Sequence, residues 1–343
     1  MKTLVRLLAL CTLIFTPAAN AAPIYSGLYV FGDSLVDSGN AFLGTGGAQA
    51  NPINGYYSGR FSNGLNFADY LSLALTGQPA IPALAGGTNL AVGGATAESK
   101  PSLPGQTFLS QLALYGTYVG TPIPSDALVL VTFGGNDVRD TIFVPGTPSF
   151  TQAAADLTTG LSLLYANGGR NFLITGSADI GLLPISIAQA GAIPGRLGEL
   201  TDRSLDINSL FAGDAFALDA APGANVTFFD LFAFEHNLLA NPAHYGLPAN
   251  LNTTTPCQIP GGGVPQFANC ATSLYFDLIH PTTRVHLAIA RGIQYQLGLT
   301  TAVPEPASWA LMILGVGMVG FAMRGQRSAE RGKVQYRVSY SRG

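Results

Sequence analysis

Short apolar runs alternate with longer stretches of helical periodicity over most of this chain. The runs are rich in β-branched and large apolar residues, which predicts strands at residues 27–30, 88–92, 127–133, 171–175 and 225–229. Between them, apolar residues recur every three or four positions, which predicts helices over residues 66–75, 108–118, 152–166, 196–219 and 283–297. Strands separated by helices favour βαβ units, a parallel sheet and right-handed crossovers. We therefore expect an α/β fold.

The strongest of these strand predictions is residues 127–133, Ala-Leu-Val-Leu-Val-Thr-Phe. A continuous apolar run of this kind is typical of a strand that is buried on both faces of a sheet. The run ends at the segment 134–137, Gly-Gly-Asn-Asp, which we expect at the carboxyl end of a central strand. Open α/β sheets place their ligand sites at this edge.

The first 21 residues have the pattern of a secretory signal peptide. A basic start precedes an apolar run, residues 7–15, that is too short to span a bilayer. Ala19-Asn20-Ala21 then supplies the small residues of a cleavage site. We expect cleavage after Ala21 and export of the chain.

The character of the chain changes again at Val303. The tetrapeptide Val303-Pro304-Glu305-Pro306 is followed by 17 uncharged residues, 307–323, and then by a basic cluster. That length is at the lower limit for a membrane helix, and Trp309 and the following arginines flank it as interfacial residues do. Residues 328–343 form a basic tail.

The composition fits one exported globular domain at residues 22–302. The chain has 343 residues, of which 48% are hydrophobic, so it can bury one sizeable core. Only 10% of the residues are charged, and 42 glycines and 22 prolines indicate long loops. Residues 22–303 hold eight Lys and Arg against 17 Asp and Glu, a net charge of −9. This acidic balance argues against a nucleic-acid partner.

Three cysteines occur in the sequence, and Cys11 lies within the predicted signal peptide. The remaining pair, Cys257 and Cys270, suggests a disulfide, because exported proteins encounter an oxidising environment. Two free, buried thiols are the alternative. Metal binding is not expected, because two cysteines are too few ligands and no histidine lies at ligand spacing from them.

Candidate catalytic residues lie near both ends of the predicted domain. Ser34 follows the first predicted strand, at a position where a buried strand breaks into a loop. A serine hydroxyl becomes an effective nucleophile only when a base takes its proton. Asp277 and His280 are three residues apart, so on one turn the carboxylate can orient the imidazole toward Ser34.

Four segments, in this order along the chain, resemble the motif blocks of the GDSL, or SGNH, hydrolase family. They are residues 31–40 around Ser34, residues 89–95 (Asn-Leu-Ala-Val-Gly-Gly-Ala), residues 132–137 (Thr-Phe-Gly-Gly-Asn-Asp) and residues 275–282 around His280. The resemblance covers about residues 29–297. It implies a three-layer α/β/α sandwich with a flavodoxin-like parallel sheet, and an ester hydrolase that needs no metal or organic cofactor.

The resemblance also implies a role for each site residue. Ser34 is the nucleophile and its N–H is one oxyanion donor, and the side-chain amide of Asn136 is another. The remaining donor is a glycine N–H, placed at Gly94 with the glycine before it as the alternative, because only glycine lets the backbone approach the intermediate that closely. His280 is the general base, and Asp277 orients it.

Neighbouring residues receive less specific interpretations. Asp33 fits a turn former and Asp37 is left unassigned, since hydrogen bonds to the loop explain both. Residues 59–64 resemble a segment of plant-type and secreted bacterial family members, and a capped turn explains them at least as well as a substrate contact. The other histidines of the domain are expected to be structural, packed or solvent-facing: His236, His244 and His286.

The subgroup that these blocks resemble most is that of secreted lipases and phospholipases. Lipid acyl esters are therefore the first expected substrate class, and acetylated polysaccharides are the second. Acyl transfer would use the same residues with a different acceptor. A non-catalytic surface or matrix protein is the alternative from another class, but all four principal residues are present: Ser34, Asn136, Asp277 and His280.

Residues 303–327 resemble a PEP-CTERM sorting signal of Gram-negative bacteria. This resemblance implies an export and sorting machinery as a partner, and a location in the periplasm, at the outer surface or in the extracellular matrix. It also implies membrane contact through the apolar segment before processing. Such signals usually end soon after the basic cluster, whereas residues 328–343 follow here, so the segment is either cut off or retained as an anchor.

Overall fold

Four parallel strands form the central sheet: β1 (Leu28–Gly32), β2 (Leu128–Thr132), β3 (Asn171–Thr175) and β4 (Asn225–Phe229). The structure is a computed structural model that describes residues 25–100, 105–259, 266–267 and 270–299. The strands lie side by side in the order β1-β2-β3-β4. Their first residues are paired across the sheet, so the four carboxyl ends meet at one edge. The sequence predictions for these four strands are confirmed.

The fifth predicted strand, at residues 88–92, is wrong. This segment runs parallel to β1, and the Val30 N–H donates to the Thr88 oxygen at 3.0 Å, but only Asn89 forms a bridge with β1. The next bond of the ladder is missing because the Gly32 N–H donates to the side-chain Oε1 of Gln111 at 2.9 Å. The segment still occupies the free edge of β1, next to the strand as in the flavodoxin-like order.

Nine α-helices occur in the described residues. They are α1 (Asn40–Gly44), α2 (Phe67–Thr76), α3 (Phe108–Tyr118), α4 (Gly135–Arg139), α5 (Thr151–Ala166), α6 (Pro184–Ala190), α7 (Arg196–Asp219), α8 (Leu231–Ala240) and α9 (Thr283–Gln296). The five predicted helices are confirmed as α2, α3, α5, α7 and α9. The other four were not predicted, because helices of five to ten residues give a weak periodic signal.

The helices cover both faces of the sheet. Helices α3, α5 and α7 pack successively against one another, and α2, α9 and α8 form a second packed group. All five residues of β2 are buried, as a strand covered on both faces requires. Phe31 of β1 packs edge-on against Phe108 of α3, with 6.0 Å between the ring centroids. The three-layer α/β/α arrangement is therefore confirmed.

The two cysteines of the domain form a disulfide. Cys257 and Cys270 are joined with a Cα–Cα distance of 5.0 Å. Next to them, two antiparallel strands of two residues each form a small sheet, β5 (Gln258–Ile259) and β6 (Gln266–Phe267). The Cys257 N–H donates to the Tyr275 oxygen at 3.0 Å. The disulfide therefore holds its loop against the segment that precedes Asp277.

The predicted export signals lie outside the described residues. The signal peptide at residues 1–21, the apolar segment at 307–323 and the basic tail are all in this category. Within the described ranges, no helix has the length and apolar character needed to cross a bilayer. The transmembrane helix is thus unsupported by the structure and stays a prediction.

Candidate active site

The site lies at the carboxyl edge of the sheet, where β1 and β2 end. Ser34 follows β1 by two residues, and Asn136 lies in the first turn of α4, just after β2. A Cβ atom on Gly32, the last residue of β1, would lie 2.5 Å from Val36 Cγ2 and 2.7 Å from the Thr132 oxygen. Glycine at this position therefore lets β1 end tightly against β2 and present Ser34 at the edge.

Three residues from the two ends of the domain form a continuous hydrogen-bond chain. Ser34 Oγ lies 2.8 Å from His280 Nε2. On the other side of the ring, His280 Nδ1 lies 2.7 Å from Asp277 Oδ2 and 2.9 Å from Oδ1. Ser34 and His280 are both buried, with 7% of the surface of each exposed. The arrangement has the connectivity of a nucleophile, a general base and an orienting carboxylate.

The Asp277 carboxylate is held by several donors besides the imidazole. Its Oδ1 accepts the backbone N–H groups of Ile279 at 2.8 Å and His280 at 2.7 Å. Its Oδ2 accepts the phenol O–H of Tyr56 at 2.9 Å. Burial alone raises the pKa of Asp277, but the adjacent His280 and the hydrogen bonds to the carboxylate outweigh burial and hold the pKa below its ordinary value. Asp277 is therefore ionised at neutral pH.

An aromatic ring packs against the imidazole of His280. The ring of Phe61 lies 5.0 Å from that of His280, at an interplanar angle of 38°. Phe61 itself packs edge-on against Tyr56, at 6.0 Å between centroids. A Cβ atom on Gly93 would lie 2.2 Å from the Phe61 ring, so this position has room for glycine alone.

The segment 59–64 contacts the protein around the base. Ser62 Oγ donates to the Pro281 oxygen at 2.9 Å, and Asn63 Oδ1 accepts the Thr283 N–H at 2.9 Å. Together with the Phe61 ring, these contacts fix the turn that carries His280 from both sides. Of the two sequence interpretations, the structural one accounts for each of these contacts.

The backbone N–H groups of Ser34 and Gly94 are available to a ligand, because neither has an acceptor within the described part of the chain. The Gly93 N–H, by contrast, donates to Asp37 Oδ2 at 2.9 Å. Gly94 has a positive φ of 84° and is exposed, a backbone conformation that favours glycine. The Asn136 Nδ2 group donates to the Ala95 oxygen at 2.8 Å, which fixes the amide beside the same turn.

Asp37 connects the nucleophile loop to the glycine turn. Besides Gly93, it accepts backbone N–H groups from Gly39 and Asn40 at 2.7 Å and from Ala41 at 3.1 Å. Burial raises the pKa of Asp37 to about 6, although the four donors favour the ionised form. Sequence reasoning did not reveal this connection, because Gly93 lies 56 residues away from Asp37.

Asp33, the residue before the candidate nucleophile, is buried. Its Oδ1 accepts the Leu35 N–H at 2.9 Å, as expected of a turn former, and its Oδ2 lies 3.5 Å from Asn136 Nδ2. Burial raises the pKa of Asp33 to about 6, and the Leu35 hydrogen bond and the nearby His280 oppose that rise.

The remaining histidines lie away from Ser34. His286 is buried and packs on Phe67 at 6.0 Å between ring centroids, as the packing interpretation predicted. His236 is exposed, with its Nε2 3.0 Å from Asp179 Oδ2, and His244 is exposed as well. Both positions agree with the sequence interpretation.

A deep, mainly apolar pocket opens beside Ser34 and His280. Its volume is about 840 Å³, the open mouth included. Apolar side chains from the loop after β3 and from helices α8 and α9 form much of its wall, among them Leu183, Leu231, Phe234, Leu238 and Ile289. Three residues with acidic or basic side chains besides His280 also line it: Asp33, Arg139 and Glu235. Sequence reasoning missed this pocket, Tyr56 and Glu235, because none of them belongs to a motif block.

Comparison with known proteins adds two family matches. The model of the GDSL-like lipase/acylhydrolase family matches residues 28–293, and the model of the PEP-CTERM protein-sorting motif matches residues 302–328. The first match contains all four motif blocks. The second falls on the segment whose resemblance to such a signal was noted in the sequence.

Individual relatives come from plants and bacteria. A GDSL esterase/lipase of Arabidopsis thaliana is 29% identical over 336 residues, covering 82% of this chain and 89% of the relative. The thermolabile hemolysin of Vibrio parahaemolyticus is 28% identical over 276 residues, covering 76% of this chain and 60% of the hemolysin. Among solved structures, an acetyl-xylooligosaccharide esterase of Geobacillus has 16% identity and a TM-score of 0.44, covering 80% of this chain and 96% of that structure.

Proposed function

Because this chain belongs to the GDSL-like lipase/acylhydrolase family and is a carboxylic ester hydrolase, we propose that it cleaves lipid acyl esters through an acyl-enzyme on Ser34. The observation that carries this proposal is the hydrogen-bond chain from Ser34 through His280 to Asp277 at the mouth of a deep apolar pocket. The chain supplies a nucleophile and its base. The pocket supplies a binding surface for an acyl chain.

In the first step, Ser34 Oγ attacks the acyl carbonyl carbon of the bound ester. His280 Nε2, 2.8 Å away, takes the hydroxyl proton, and the ionised Asp277 stabilises the imidazolium that results. The carbonyl oxygen becomes an oxyanion, which accepts hydrogen bonds from the N–H groups of Ser34 and Gly94 and from Asn136 Nδ2. The bond from the Gly93 N–H to Asp37 supports Gly94 rather than Gly93 as the glycine donor.

In the second half of the reaction the acyl group leaves the enzyme. The tetrahedral intermediate collapses, the ester C–O bond breaks, and the departing alcohol receives the proton from His280 Nε2. Water then attacks the acyl-enzyme while giving a proton to His280, and the carboxylic acid is released with Ser34 restored. No redox change or additional reactant is involved.

The apolar wall of the pocket supports a long acyl chain as the bound group. An acetyl group would contact few of the apolar side chains, whereas an extended alkyl chain would contact the leucine and isoleucine side chains along the wall. Lipid acyl esters therefore fit better than acetylated polysaccharides.

The PEP-CTERM sorting motif indicates export in a Gram-negative bacterium. We infer that the hydrolase acts outside the cytoplasm, in the periplasm, at the outer surface or in the matrix. An export and sorting machinery that processes residues 303–327 would be its partner before release, with a transient anchor in the inner membrane.

The proposal is tested with p-nitrophenyl esters from acetate to palmitate, using the purified protein beside its Ser34→Ala variant. We expect Ser34-dependent turnover with an optimum at medium or long chains. An optimum at acetate would favour the acetyl esterase instead. A protein that hydrolyses no ester of any chain length would favour the non-catalytic matrix protein, while products formed only with an added alcohol would indicate acyl transfer.

A further inference from the structure

A glutamate interrupts the apolar face that α8 turns toward the pocket. Leu231, Glu235 and Leu238 are four and three residues apart, so they lie on one stripe of the helix, and all three line the pocket. Phe234, the residue before Glu235, lines the pocket as well. A leucine at position 235 would have made this stripe continuously apolar. The carboxyl group is therefore a departure that packing alone does not explain.

The two oxygens of Glu235 are bonded unequally. Oε2 accepts the backbone N–H of Asp179 at 2.9 Å, a normal hydrogen bond that joins α8 to the loop after β3. Oε1 receives only the phenol O–H of Tyr275 at 3.4 Å among the described residues, well beyond the usual length for such a bond. Tyr275 is 2% exposed and lines the pocket as well. Glu235 Oε1 and the Tyr275 hydroxyl therefore belong to two residues of the pocket lining, and the hydrogen bond between them is weak.

Among the described residues, no cationic side chain pairs directly with Glu235, and the nearby His236 contacts Asp179 instead. Asp179 is occupied by the Gly181 N–H, the Thr201 hydroxyl and the ring of His236, at 2.9, 2.8 and 3.0 Å respectively. Burial raises the pKa of Glu235 to about 7, the Asp179 N–H opposes that rise, and the Asp179 charge adds to it. Near neutral pH the carboxyl is therefore present in both forms and can either accept or donate a hydrogen bond.

We propose that Glu235 and Tyr275 form a polar subsite inside the pocket that binds a hydroxyl group on the acyl chain of the substrate. One hydroxyl satisfies both residues, because it can donate to Glu235 Oε1 while it accepts from the Tyr275 phenol. A gap of 3.4 Å between the two protein oxygens indicates that their mutual bond is weak enough to be replaced.

A cationic group is a poorer occupant of this subsite. Arg139 already lines the pocket, and its positive charge disfavours a second cation there. A neutral hydroxyl on a flexible chain avoids this repulsion, since the chain contacts the leucines and the hydroxyl meets the carboxyl. The inference rests on the proposed function, in which the acyl chain enters this pocket.

The test compares matched pairs of substrates. Methyl esters of straight-chain acids are supplied with and without one hydroxyl group at a defined carbon, and hydrolysis by the purified protein is followed by pH-stat titration. For at least one hydroxyl position we expect kcat/KM about tenfold higher than for the plain ester, as one charge-assisted hydrogen bond provides.

The variants Glu235→Leu, Glu235→Gln and Tyr275→Phe identify the subsite. Glu235→Leu should abolish the preference, so that kcat/KM for the hydroxylated ester falls to that of the plain ester measured on the same variant. Glu235→Gln keeps an acceptor for both the Asp179 N–H and the hydroxyl, so it should retain most of the preference, and Tyr275→Phe should weaken it. A purely structural Glu235 would alter the melting temperature and leave the ratio of the two substrates unchanged.

Two results would overturn the inference. One is a wild-type protein that treats hydroxylated and plain esters alike at every position, and the other is a preference that survives in Glu235→Leu. Both presuppose Ser34-dependent hydrolysis of the plain esters, so they are distinguishable from a failure of the proposed function, in which no ester is cleaved.

Discussion

The phenol of Tyr56 donates a 2.9 Å hydrogen bond to Asp277 Oδ2, although the two residues are 221 positions apart. The same oxygen faces His280 Nδ1 at 2.7 Å. Tyr56 therefore helps to hold the carboxylate that orients the base, without touching the reacting atoms. This makes it a positioning residue of the proposed triad.

Replacing Tyr56 by Phe should lower kcat about tenfold and leave KM nearly unchanged. The lost bond to a charged acceptor is equivalent to about 1.4 kcal/mol, and the substrate pocket does not include Tyr56. Steady-state kinetics on a p-nitrophenyl ester measures both constants. The neighbouring Tyr57→Phe is the matched control, because Tyr57 is 48% exposed. Equal kinetics in the two variants would show that the Tyr56 bond has no catalytic effect.

Removing the Asn136 amide should lower kcat about 100-fold. The amide lies beside the glycine turn, where its bond to the Ala95 oxygen fixes it in place. Asn136→Ala is compared with Asn237→Ala on the exposed face of α8, and thermal unfolding of both variants detects any structural damage. A stable Asn136→Ala protein with wild-type kcat would remove this residue from the oxyanion site.

Breaking the disulfide should affect both stability and activity. The double variant Cys257→Ser/Cys270→Ser loses the constraint on its loop, which costs about 3 kcal/mol of unfolding free energy on the chain-entropy estimate. Because the Cys257 N–H bonds to the Tyr275 oxygen, two residues before Asp277, we also expect a lower kcat. Chemical denaturation and ester hydrolysis measure the two effects. Unchanged values for both would mean that the bridge does not support the catalytic turn.

The buried His286 should make the protein less stable in acid. Burial lowers its pKa from 6.5 to about 3, with a smaller contribution from His280. Between these two pH values the unfolded chain binds a proton that the folded protein excludes. The unfolding free energy therefore falls as the pH is lowered, by up to about 1.4 kcal/mol per pH unit.

The variant His286→Leu isolates this effect. The pKa values of Asp33 and Asp37, both about 6, change stability in the opposite direction over part of the same range. They act equally in both proteins, so the difference between wild type and variant reports on His286. As the pH falls below 6.5, we expect the unfolding free energy of the wild type to decrease relative to that of His286→Leu. Above pH 6.5 the difference in unfolding free energy should be constant. A difference that is independent of pH would mean that His286 does not titrate in this way.

Local patterns explain how much of the fold the sequence predicts. Residues 127–133 form a run of apolar residues that only a buried strand accommodates, and the structure has β2 there. Residues 88–92 offer a similar apolar pattern, but the Gly32 N–H donates to Gln111 Oε1 at 2.9 Å and so interrupts the ladder with β1. Apolar spacing alone does not reveal such a side-chain bond.

The residues of the proposed site also differ in whether the sequence alone reveals them. Asp277 and His280 stand three residues apart in a recognisable block, so their partnership is visible in one dimension. Tyr56 and Glu235 belong to no block, and their partners are 221 and 56 residues away. A phenol or a carboxyl in an ordinary segment carries no mark of a distant partner, which is why only the folded chain reveals either role.

The most direct test of the proposed mechanism is covalent labelling of the purified protein with a fluorophosphonate probe. Its phosphorus is attacked by an activated serine and the adduct remains on the enzyme. We expect one adduct per molecule, mapped by peptide mass spectrometry to Ser34, with loss of ester hydrolysis in proportion and no adduct in His280→Ala. An adduct on another residue, or full ester hydrolysis after Ser34 has been labelled, would contradict an acyl-enzyme at this position.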